Sequence, residues 1–149
     1  MKAFSEGSLK IEYMKSEHLS FHYPEHYCVN IVCGDSNVLL TGDMDTGWIP
    51  SLQCFSRKED STLFVSSIML WHRKWRDQLN DLGYGRINFY HIASEARDFW
   101  GYRGRALRYW AKYRDEFPGG MLMGCPEVPA GEERTGQTGQ TDRPESGGD

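Results

Sequence analysis

Apolar and polar residues alternate from Leu9 to Met14 (Leu-Lys-Ile-Glu-Tyr-Met), the period of a strand with one buried face. Tyr27 to Cys33 reads as a second strand and Val38 to Thr41 as a third. Gly34-Asp35-Ser36-Asn37 between them is turn chemistry, so the two predict a β-hairpin. His18 to His26 is polar and aromatic, contains Pro24, and reads as a loop. Gly42, Gly47 and Pro50 interrupt any regular element from Gly42 to Glu59, leaving room only for a short helix over Leu52 to Lys58. Thr62 to Ser67 is a short apolar run, expected as a buried strand. Ile68, Leu70, Trp71, Trp75 and Leu79 recur at helical spacing and predict a helix over Ile68 to Leu82, ended by Gly83 and Gly85. Arg86 to Ile92 is the next strand, and Gly104 to Phe117 a second helix that Pro118-Gly119-Gly120 stops. A short strand at Met121 to Met123 follows.

This order, β, then ββ, then β-α-β-α, predicts an α/β fold: one mixed sheet with helices on one face and no clear layer for the other. One domain over residues 1–125 is expected. From Pro126 to Asp149 the only apolar side chains are Val128 and Ala130, too few to offset conformational entropy. Residues 126–149 therefore read as a disordered tail.

Charge and cysteine content remove several classes of function. A net charge of -4 offers no basic footprint, so no nucleic-acid partner is expected. No run of 18 apolar residues occurs and no apolar core follows the N-terminal lysine, so neither a membrane span nor a signal peptide is expected. The four cysteines, Cys28, Cys33, Cys54 and Cys125, form no CxxC pair, and each reads as a small buried hydrophobe in a reducing, cytoplasmic chain.

Candidate chemistry starts with the five histidines. His18, His22 and His26 are evenly spaced, but Pro24 argues against the helix that would align them, so the spacing alone is a weak metal signal. Val38-Leu39-Leu40-Thr41-Gly42-Asp43 is stronger: an apolar strand runs into a carboxylate, with Gly42 permitting a sharp turn. Read locally, Gly42-Asp43 is first an ordinary turn. His72, within the helix predicted over Ile68 to Leu82, reads as a surface histidine, and Ser66-Ser67 lacks the Gly-x-Ser-x-Gly setting of a nucleophile. The arginines and lysine at Arg73, Lys74, Arg76, Arg103, Arg105 and Arg108 read as solvated faces, and Gly101 to Arg105 as a basic helix start.

Val38 to Asp43 resembles the strand and metal-bridging aspartate of metallo-β-lactamase-fold hydrolases. Ser16-Glu17-His18-Leu19 resembles the histidine motif before it, with Glu17 where glycine is usual; His26, just ahead of the second strand, is the alternative. Asn88-Phe89-Tyr90-His91 resembles the last ligand of that family. The resemblance spans Leu9 to Met123 and implies the C-terminal half of a four-layer αββα fold and a two-zinc site. His18 or His26, Asp43 and His91 would be the ligands. The first-half motif His-x-His-x-Asp-His occurs nowhere in the chain. Each metal would then have Asp43 and one histidine, whereas catalytic zinc takes about three protein ligands plus a water. The expectation is a partial metal-dependent hydrolase, inactive alone and completed by a complementary N-terminal half. The alternatives are a degenerate half-domain acting as a binding module, and a homodimer in which each sheet covers the other.

Overall fold

The computed structural model describes residues 1–20, 25–58, 60–92, 94, 97, 98 and 100–124. The expected tail, 126–149, Cys125 and His22 lie outside the described residues. Six strands form one open mixed sheet in sequence order: β1 (Lys2–Glu6), β2 (Leu9–Ser16), β3 (His26–Cys33), β4 (Ser36–Leu40), β5 (Asp60–Ser66) and β6 (Arg86–Tyr90). β1 to β4 run antiparallel, with two-residue turns joining β1 to β2 and β3 to β4, and β4, β5 and β6 are parallel. The two helices are α1 (Arg73–Asp81) and α2 (Tyr102–Tyr113).

The parallel half explains why one face is covered. A parallel connection must cross over a face of the sheet, and successive right-handed crossovers in one direction use the same face. The 3-10 turns at Thr46–Cys54 link β4 to β5, and the Ser67–Leu70 turn with α1 links β5 to β6. Ile49, Leu52, Met69, Leu70 and Leu79 from these connections are fully buried against Leu39, Leu63, Val65 and Phe89. α2 joins the same layer: Trp110 packs 5.7 Å from the Phe89 ring, and Tyr102 stacks on Trp71. The opposite face is uncovered among the described residues, as its exposed Tyr27, Ile31 and Leu40 testify.

The covered face also holds a polar knot. Glu12 is 1% exposed and accepts from Asn30 Nδ2, from Ser56 N–H and Oγ–H, and from Lys10 Nζ. Asn37 extends it, donating to Asn30 Oδ1 and accepting from Lys58 N–H. The irregular stretch after residue 54 is thus tied to β2, β3 and β4 by side chains. Burial opposes ionisation of Glu12, but the Lys10, Ser56 and Asn30 hydrogen bonds outweigh it and hold the carboxyl at about 2.

Several expectations are corrected. β1 was not anticipated: Lys-Ala-Phe-Ser-Glu is exposed throughout, so it carries no burial pattern. No helix spans Leu52 to Lys58; 3-10 turns end at Cys54, with Pro50 inside them. The helix expected over Ile68–Leu82 is broken, because His72 takes extended backbone (φ −119°, ψ 133°) before α1. Apolar spacing continues through that break, so periodicity could not register it. Residues 121–123 contribute a single parallel bridge, Phe89 to Leu122. Cys33 is exposed because it shares the uncovered face with Ile31, and Cys54 is exposed at the end of its turn; among the described cysteines only Cys28 is buried. Arg76 is not solvated: it is 4% exposed, donates to Leu70 O and Glu116, and stacks on Tyr113. No described helix is long and apolar enough to cross a membrane.

Candidate functional site

The sheet brings the four predicted ligand positions to one end. Asp43 follows β4, His91 follows β6, His26 opens β3, and His18 trails β2. The β2 extension is fixed by backbone pairing: Leu19 N–H donates to Asp43 O and Asp45 N–H to Glu17 O, each at 2.8 Å. His18 thereby forms a bridge with Met44 beside the Asp43 turn.

Asp43 lies between two imidazoles. Its Oδ1 is 2.5 Å from His91 Nδ1, and its Oδ2 is 3.8 Å from His18 Nε2. Facing a carboxylate, which accepts, His91 Nδ1–H is the donor, on a ring that is more than half exposed. His18 and His26 rings meet edge to face, centroids 5.5 Å apart. Ser16 Oγ lies 2.7 Å from His26 Nδ1 and fixes that ring. Burial, then the neighbouring His18, lowers the His26 pKa, with Asp43 partly opposing. His26 is therefore a neutral imidazole at pH 7, the form that ligates metals.

Two backbone features adapt the chain to this cluster. Gly42 has φ +56°, and a Cβ there would sit 2.5 Å from His26 Nε2. The glycine both permits the turn and makes room for the ring. His91 itself has φ +62°, a left-handed conformation uncommon for a residue with a side chain. Such backbone persists where surrounding structure imposes it.

The donor types suit zinc, and of the two histidine contacts to Asp43 one has a suitable spacing. Zinc–nitrogen and zinc–oxygen bonds of about 2.0–2.1 Å in a tetrahedral site separate the two donors by ~3.3 Å. The His18–Asp43 gap of 3.8 Å is near that value. The His91–Asp43 contact is too short to hold an ion between its atoms. Among the described residues, no group of three or more His, Cys, Asp or Glu has a metal-holding arrangement. The carboxylate here bridges two imidazoles.

Two neighbours of the cluster went unread in the sequence. Ser16 meets His26 through the β2–β3 register, which no local pattern displays. Tyr90 lies next to His91 in the chain; burial pushes its hydroxyl up to about 12, with a hydrogen bond from Thr41 opposing and the Asp43 charge adding. His72 lies between the Ser67–Leu70 turn and α1 with its ring against Trp75. Compared with known proteins, the chain matches no family model, and neither a curated protein nor a solved structure shows significant similarity.

Proposed function

We propose that this chain is one half of a metal-dependent hydrolase domain of the metallo-β-lactamase fold, the half that would carry the bridging aspartate and the later histidines. The reading rests on one observation. Four residues spread from His18 to His91 converge at one sheet end, and Asp43 turns one oxygen toward each of two histidines. The mixed sheet with helices on a single face is in keeping with one αβ half of a four-layer αββα sandwich. Bound zinc, where complete, supplies an acidified water. The residues present would bind and orient: Asp43 and His18 as ligands, His26 as the alternative histidine held by Ser16, and His91 as a ligand once its ring leaves Asp43.

Alone, the chain offers each metal Asp43 and one histidine, which falls short of the usual three-ligand shell. Weak zinc binding and no hydrolysis are the expected behaviour of the isolated protein. Calorimetric titration of the isolated protein with zinc tests this; sub-micromolar affinity would overturn it.

A second reading is a non-catalytic interaction module. The uncovered apolar sheet face favours it, since such faces are contact surfaces in folded proteins. Retained cooperative folding in an Asp43→Asn, His91→Ala variant that still engages its partner would support this alternative.

A further inference from the structure

The sheet face away from the helices is apolar across five strands. Register aligns Phe4, Ile11, Ile31 and Val38 in one row, and Tyr13, Val29, Leu40 and Phe64 in the next. Phe4 is 56% exposed, Tyr27 43%, Leu40 39% and Ile31 37%. Together these side chains leave roughly 600 Å² of apolar surface open, the upper end for the largest patch on a soluble monomer. About 800 Å² per partner makes a standard stable interface, so little beyond this patch is needed.

Charges frame the face without entering it. Lys2, Glu6, Lys15, Asp60 and Arg86 all lie at or next to strand ends. β1 carries the informative pair. Lys2 and Glu6 stand two residues to either side of Phe4 and point to the same face, because side chains alternate along a strand. That arrangement is complementary to itself under rotation.

We propose that a second copy of this chain covers the face, related by a two-fold axis that lies in the interface and runs across the strands along the Phe4–Ile11–Ile31–Val38 row. This axis stacks Phe4 near the partner's equivalent side chain and sets Lys2 of each copy against Glu6 of the other. Strand directions stay aligned, as face-to-face sheets require. The two apolar rows then form the centre of a sandwich with a charged rim. A second copy and a complementary half would exclude one another on this sheet face, whereas zinc binding uses the strand ends, so dimerisation and metal binding are read out separately.

Sedimentation velocity on the full chain at micromolar concentration tests this. The expected particle has twice the 17.2 kDa chain mass. Ile31→Lys, at the centre, should raise the dissociation constant about 100-fold or more, as burying an unpaired charge does. Tyr27→Lys repeats the test at a more exposed position, with circular dichroism verifying that both variants fold. Lys2→Glu should weaken the dimer about tenfold, and the Lys2→Glu, Glu6→Lys double variant should restore it. A monomer at every concentration would overturn the proposal. So would a dimer indifferent to Ile31→Lys and Tyr27→Lys, which would indicate pairing through the β1 edge, and so would open-ended association without a defined dimer.

Discussion

Gly42 is where the cluster depends most on a single atom. A methyl group there meets His26 Nε2 at 2.5 Å and strains backbone already at φ +56°. Gly42→Ala should lower unfolding free energy by about 2 kcal/mol or more in urea denaturation, since both the left-handed conformation and the clash oppose it. Glu12 and His26 set the acid response. The Glu12 carboxyl is held at about 2, below its ordinary 4.5, so its stabilisation is complete above pH 4.5 and is lost as pH falls toward 2. His26 also titrates below its ordinary 6.5, because the folded ring resists the proton that the unfolded chain accepts. Its contribution is present above pH 6.5 and fades as the solution is acidified. Urea denaturation at pH 7, 5 and 3 should show stability falling in both steps, and Glu12→Gln should flatten the lower one. Asp43 and Gly42 were legible as a strand running into a turn. Ser16 was not, because its role depends on which residue of β3 lies opposite.

At the scale of elements, alternation and helical spacing found β2 through β6 and most of both helices. They failed where burial does not vary along the segment. β1 is exposed at all of its positions, so neither face leaves a trace in its sequence. The break at His72 falls inside an uninterrupted apolar series, and no glycine or proline marks it. Arg76 was misread for a related reason: an arginine in a helix is ordinarily solvated, and only the fold brings Leu70 O, Glu116 and Tyr113 around it. Those contacts join α1 to the end of the chain's helical layer. Arg76→Ala should therefore destabilise the protein by about 2 kcal/mol, from the buried bond to Leu70 O left unmade and the packing on Tyr113 lost, since Glu116 itself is exposed. Thermal melts of Arg76→Ala beside Arg73→Ala, an exposed helix position, would separate this from loss of surface charge.

On the scale of the whole molecule, the sheet is finished on one side only. The sequence already suggested a face without a partner layer, because its helices follow parallel strands and crossovers share a side. The expectation that His18 or His26, Asp43 and His91 meet rested only on the resemblance of short motifs; spacing alone does not bring residues 18 and 91 together. What no pattern foretold is that Asp43 engages both flanking imidazoles directly. The proposed half-site makes a specific claim: these histidines respond to a metal as a group, and weakly. Two-dimensional NMR of the histidine ring nitrogens during zinc titration tests it most directly. Coupled shifts of His18 or His26 together with His91 are expected only at zinc concentrations well above micromolar, abolished by Asp43→Asn while His72 stays unmoved. Shifts that survive Asp43→Asn, or that appear equally at His72, would contradict it.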